Sequence, residues 1–204
     1  MKTLLSIFLL IFLTSAAPRP DGCLQLDIML VGDYSGSVMG SERFIADAFE
    51  TFGSRFKISE QDIKVGIIIF SDNPSVLCPL TSDPFVLKNS LIVLRATKAD
   101  PDGMTHITDA MKEAANQLYS NGRHNVRKLI ILVSDGLHNG EDGSNGLITT
   151  CLMIQKTGII ICTVVIEGDY HNQTLMETVA NPGFYVASSY GTLVDQLKSL
   201  DVCL

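Results

Sequence analysis

The run Asp33-Tyr34-Ser35-Gly36-Ser37 places one carboxylate and two hydroxyls at alternate positions of a short, glycine-containing segment. Every one of these groups is a hard oxygen donor, and an oxygen-only cluster suits a hard cation such as Mg²⁺. Two further pairs share its setting: Ser71-Asp72 and Ser134-Asp135, like Gly32-Asp33, each close an apolar run. One aspartate in such a place is ordinarily a helix cap or a turn residue. Three of them, with the separate loop Asp102-Gly103-Met104-Thr105-His106, assemble carboxylates and a further hydroxyl at one kind of location. Competing chemistries lack their motifs. The chain has no Cys-x-x-Cys, no His/Cys spacing for zinc, no Walker phosphate loop and no Gly-x-Ser-x-Gly segment.

For those loops to meet, the segments before them must be neighbouring strands. Four apolar runs read as buried strands: Leu24–Val31, Ile63–Phe70, Lys128–Val133 and Ile159–Ile166. Each is nearly continuous rather than alternating, as parallel strands covered on both faces are. Between them, Glu42–Phe56 carries Ile45, Ala48, Phe49, Phe52 and Phe56 at helical spacing, and Thr108–Tyr119 does the same with Ala110, Met111, Ala114, Ala115 and Leu118. Val76–Leu80 reads as a short antiparallel edge strand, with a helix start at Thr81-Ser82-Asp83-Pro84. Phe184–Ala187 reads as a last strand and Thr192–Leu200 as a closing helix. The order predicts an α/β, doubly wound, mostly parallel central sheet flanked by helices, Rossmann-like, with right-handed crossovers. In such sheets ligands gather at the carboxyl ends of the strands.

With the elements in place, Asp33-x-Ser35-x-Ser37, Thr105 and Asp135-Gly136 resemble the metal-ion-dependent adhesion site of the von Willebrand factor type A domain, called the inserted domain in integrins. The resemblance covers essentially the whole chain after its first residues. It extends to Val65-Gly66-Ile67 through Phe70-Ser71-Asp72, which is similar to the family's second parallel strand. Met104 stands where many members carry a second glycine. The resemblance implies that Ser35, Ser37 and Thr105 bind the metal through their hydroxyls, and that Asp33 and Asp135 contribute directly or through water. The implied cofactor is Mg²⁺, with Mn²⁺ or Ca²⁺ as alternatives. The implied partner is a protein presenting a Glu or Asp carboxylate. Neutral hydroxyls leave the cation's charge incompletely cancelled, and a carboxylate can displace its exchangeable water. Tyr34, His106 and His138, with Glu141 and Asp142, are expected on the same face, the first three as a partner-binding rim. Asp72 is expected to be a turn residue, and Asn139–Gly146 a flexible surface loop.

The first residues point to export. Lys2, the apolar run Leu4–Leu13 and the small residues Ser15, Ala16 and Ala17 have the layout of a secretory signal peptide over residues 1–17. The run is too short to anchor in a bilayer. The expected domain covers 21–204, secreted and extracellular, or periplasmic in a bacterium. Export permits disulfides. Of five cysteines, Cys23 precedes the first strand and Cys203 lies beside the end, and a bond between them would staple the termini. The loop so closed corresponds to about 5 kcal/mol by chain entropy. Cys162 lies within an apolar run and reads as a small buried hydrophobe, while Cys78 and Cys151 are free or paired. In integrin-type members the last helix moves with the metal site, and a Cys23–Cys203 bond would restrain that movement here. Asn172-Gln173-Thr174 is a glycosylation sequon, or a helix start at a surface loop.

The net charge of −7 and the shortness of the basic segment Arg123–Lys128 argue against nucleic acid and anionic membrane. No membrane insertion is expected. The leading expectation is a secreted, metal-dependent adhesion or protein-binding module that is not an enzyme. A structural matrix or surface-assembly protein, with homo-oligomers, is the alternative. A metal-dependent hydrolase has less support, because a haloacid-dehalogenase-like loop would want an Asp where Ser35 stands.

Overall fold

Strand β1 (Leu26–Asp33) is buried along its whole length, which requires cover on both faces of the sheet. The computed structural model describes residues 25–166 and 171–187. The expected signal peptide, Cys23, Cys203 and the closing segment Thr192–Leu200 lie outside the described residues. After β1 come a 3₁₀ turn (Gly36–Val38), α1 (Glu42–Arg55), β2 (Ile63–Phe70), β3 (Pro74–Thr81), α2 (Pro84–Ala96) and α3 (Ile107–Asn121). They are followed by β4 (Arg127–Ser134), α4 (Gly143–Lys156), β5 (Ile159–Val165), α5 (Gln173–Val179) and β6 (Tyr185–Ala187).

The six strands form one sheet in the order β3-β2-β1-β4-β5-β6. All neighbours are parallel except β2 and β3, whose antiparallel pairing carries register shifts near Ile67. One core joins this sheet to Phe49 and Phe52 of α1 and Leu87 and Leu94 of α2. On the other face lie Met111 and Leu118 of α3, Leu147 and Cys151 of α4, and Met176 of α5. The chain leaves β1 towards one layer and β4 towards the other, although the strands are neighbours. Their carboxyl ends therefore flank the crevice where ligands of open α/β sheets bind.

The doubly wound sheet and its antiparallel edge agree with expectation. Three details do not. Strand β1 runs two residues further than the apolar run, because Gly32 and Asp33 still pair with β2. The edge strand is longer than Val76–Leu80. The segment Asn139–Gly146 is not a loop throughout: α4 starts at Gly143. Its buried Leu147, Cys151 and Ile154 recur at helical spacing, but the polar, glycine-rich start masks that stripe in sequence. Cys78, Cys151 and Cys162 are buried free thiols. Burial pushes the Cys151 thiol up to about 12. No helix among the described residues is long and apolar enough to cross a membrane.

Candidate metal centre

Three loops build the centre. The first leaves β1 at Asp33, whose carboxylate is wholly buried. Its Oδ1 accepts from the Ser35 amide at 3.0 Å and the Ser35 hydroxyl at 2.6 Å. Its Oδ2 accepts from Ser134 Oγ at 2.6 Å. The second loop supplies Thr105, whose hydroxyl donates to Ser35 Oγ at 2.9 Å. Ser37 Oγ lies 3.2 Å from Ser35 Oγ, so Asp33, Ser35, Ser37 and Thr105 form one connected set of oxygens. The two loops also meet through their backbones, with Gly36 N–H donating to Gly103 O at 3.1 Å. A side chain at Gly36 would bring a Cβ within 2.5 Å of the Pro101 carbonyl, so this approach needs glycine.

The third loop leaves β4 at Ser134. Asp135 turns one carboxylate oxygen to the Leu137 amide at 2.9 Å. Its other oxygen, Oδ2, is buried and without a hydrogen-bond partner. Gly136 follows with φ +76, a left-handed conformation that suits glycine.

Burial pushes the Asp33 carboxyl up to about 6 from an ordinary 3.8; hydrogen bonds from Ser134 and Ser35 oppose this, and the Asp135 charge adds to it. Among the described residues, no Lys, Arg or His forms an ion pair with Asp33 or Asp135. Burying carboxylate oxygen without counter-charge or partner is costly. Two carboxylates, one of them with an orphaned oxygen, and three hydroxyls fit a hard divalent cation. Among the described residues, no group of three or more His, Cys, Asp or Glu offers a different cluster. Ser35, Thr105 and Asp135 are buried like Asp33, whereas Ser37 is exposed and marks the open side.

The expected rim is placed differently. Tyr34 is 3% exposed, packs in the core on the α1 and α2 side, and its hydroxyl donates to the Leu94 carbonyl at 3.4 Å. Burial, with Glu42 nearby, pushes its phenol up. Tyr34 therefore leaves the rim, because the backbone alternates at the end of β1 and sends its side chain beneath the loop. His138 leaves it too: its imidazole is 0% exposed, held between the Thr105 carbonyl and Asp142. Burial works to raise the Asp142 carboxyl, but bonds from Thr108 and His138 prevail and hold it below the ordinary value. His106 is half-buried at the start of α3. Met39 and Met104 are large apolar side chains exposed in the same loops. Asp72 accepts from the Met104 amide at 2.6 Å, a turn residue that also ties two loops together. Asn172 caps α5 by accepting from the Leu175 amide, and its own N–H donates to the Asp135 carbonyl at 2.7 Å.

The sheet order, the crevice beside β1 and this oxygen cluster describe a class of α/β ligand-binding domain. The von Willebrand factor type A domain model matches residues 27–199, and the chain belongs to that family. Solved structures share the fold at low identity. The manganese-loaded TRAP protein of Plasmodium vivax gives a TM-score of 0.72 at 19% identity, over 88% of this chain and 74% of that one. Proximal thread matrix protein 1 of the mussel byssus gives 0.70 at 19% identity, over 87% of this chain and 47% of that one. This chain thus spans about half the length of the mussel chain. The von Willebrand factor domain of the type V pilus tip protein Mfa5 from Porphyromonas gingivalis gives 0.69 at 14% identity, over 88% and 94%.

Proposed function

We propose that this chain is a secreted, divalent-cation-dependent protein-binding module of the adhesion kind, with no catalytic role. The unpartnered, buried Oδ2 of Asp135 carries this reading. It lies in the loop beside Asp33, whose carboxyl is pushed up to about 6, chiefly by burial. The proposal assigns the cation to Asp33, Ser35, Ser37, Thr105 and Asp135, with Mg²⁺ first and Mn²⁺ or Ca²⁺ as alternatives. Its domain runs from Asp21 onward, behind a signal peptide over residues 1–17.

The chain's own groups divide the work. Asp33 and Asp135 supply the negative charge. Ser35, Ser37 and Thr105 supply oxygen without further charge. Ser37 stands at the exposed mouth, where a partner group would enter. Held there, a divalent cation supplies an open coordination position for a Glu or Asp carboxylate from the partner. The likeness to TRAP, to a thread matrix protein and to a pilus tip protein agrees with an extracellular binding role. Glycosylation at Asn172 in a eukaryotic source, and a Cys23–Cys203 bond, belong to the same proposal.

The test has two stages. Titration of the purified protein with Mg²⁺ and Mn²⁺ is expected to show one saturable site that Asp33→Ala abolishes. Capture of a ligand from the native secretome in Mg²⁺ is then expected to be lost in EDTA and lost in Asp33→Ala. Equal capture under all three conditions would sink metal dependence.

A further inference from the structure

Of the five candidate ligand residues, Thr105 is the one whose loop does not follow a strand. It sits near the end of the connection from α2 to α3, two residues before the helix starts. The segment between β4 and α4 grips both sides of its peptide. Asn139 Oδ1 accepts from the Thr105 N–H at 2.5 Å. The Asn139 N–H donates back to the Thr105 carbonyl at 3.2 Å. His138 Nδ1 lies 3.0 Å from the same carbonyl.

The grip is itself anchored. His138 Nε2 lies 3.0 Å from Asp142 Oδ1, and Asp142 Oδ2 accepts from Thr108 Oγ1 at 2.7 Å, in the first turn of α3. On the other side, the loop after β2 holds the flanking residues: Met104 N–H donates to Asp72 Oδ1 at 2.6 Å, and His106 N–H to the Ser71 carbonyl at 3.1 Å. Three successive amides are thus fixed from two directions, and the Thr105 hydroxyl lies 2.9 Å from Ser35 Oγ. Asn139 and His138 offer no ligand atom to the centre, yet they come from the loop that carries Asp135.

We infer that Asn139 and His138 are positioning residues that lock Thr105 Oγ1 at the cation site, giving a centre of fixed geometry. This rests on the metal-site reading above. Groups that orient a ligand from outside its coordination shell typically change metal affinity by about 10–100-fold when removed. Here that effect must pass through Thr105, which makes it separable from a general loss of structure.

The experiment titrates Mn²⁺ alone into the full chain, following free Mn²⁺ by electron paramagnetic resonance and bound-metal hydration by water-proton relaxation. The proteins are wild type, Asn139→Ala, His138→Ala, Thr105→Ala, and each loop variant combined with Thr105→Ala. Each loop variant is expected to bind Mn²⁺ about 10–100-fold more weakly, with an extra exchangeable water on the bound ion. Each double variant is expected to bind no more weakly than Thr105→Ala, because groups acting through one residue are not additive. Unchanged affinity in both loop variants, or losses that multiply in the doubles, would overturn the lock and leave the metal site standing. Loss of cooperative melting in both loop variants would also overturn it, by making the segment a folding element. A wild type that takes up no Mn²⁺ removes the underlying reading and the lock with it.

Discussion

Asp27 and Asp33 lie near opposite ends of β1, and neither has any exposed surface. At the amino end, Asp27 meets Arg123. The guanidinium donates from Nε to Asp27 Oδ1 at 2.8 Å, and the Arg123 amide donates to Oδ2 at 2.5 Å. The remaining guanidinium protons reach the carbonyls of Glu60, Leu26 and Asp62. At the carboxyl end, Asp33 receives only hydroxyls and an amide, with a second carboxylate as its neighbour. One strand therefore carries a buried acid that the fold neutralises and another that it leaves charged. Burial alone does not distinguish the two acids; the presence or absence of an internal counter-charge does.

The sharpest way to break this contrast is to remove the cation at the amino end. Deleting one partner of a buried ion pair leaves an uncompensated charge, at a cost of about 3–5 kcal/mol. Arg123→Ala is expected to lose about that much stability in urea unfolding at neutral pH, with Mn²⁺ affinity unchanged. A loss below about 1 kcal/mol would place this pair with ordinary surface bridges and erase the difference between the two ends.

The carboxyl end is tested by pH. In the folded, metal-free chain Asp33 keeps its proton up to about 6, whereas the ordinary value is 3.8. Between those values the folded state binds more protons than the unfolded state, so stability falls as pH rises. The resulting contribution is fully present below the lower value and lost as pH passes the higher one. At about 1.4 kcal/mol per unit, the fall amounts to roughly 3 kcal/mol. Urea unfolding in EDTA across this window is expected to show it, and Asp33→Asn is expected to flatten it. Saturating Mg²⁺ is expected to oppose the fall, because metal ligands must give up their protons and binding then gains with pH. A wild type and an Asp33→Asn variant with the same slope in EDTA would show that Asp33 is not the buried acid responsible.

The contrast was half legible in the sequence. Asp33, Ser35, Ser37 and Asp135 stand out because their spacing and strand-end setting can be read along the chain, and the near-continuous apolar strands fix which ends they occupy; Thr105, outside any strand end, joins them as a ligand only through the family resemblance. Arg123 reads only as part of a short basic segment, since its partner Asp27 is 96 positions away and no local pattern joins them. Tyr34 reads as a surface residue because its neighbours are polar, yet strand alternation at Asp33 decides its side. Asn139 opens the polar, glycine-rich stretch Asn139–Gly146 that reads as loose, and His138 before it reads as a rim residue. Their order comes from the Thr105 peptide, a backbone partner that side-chain chemistry cannot reveal.

The smallest effect belongs to Arg95, and it isolates what burial contributes. Arg95 meets two carboxylates, Asp47 at 2.7 Å and Glu50, whereas Arg123 meets one. Counting charges would rank Arg95 as the stronger anchor. Its side chain is 44% exposed, against 14% for Arg123 and 0% for Asp27, so water screens both of its pairs and already solvates the groups left behind when it is removed. Arg95→Ala is therefore expected to shift the urea midpoint far less than Arg123→Ala, and to leave the pH profile and Mn²⁺ affinity as in wild type. A shift equal to that of Arg123→Ala would mean that the number of charges, rather than their removal from water, separates the two ends of β1.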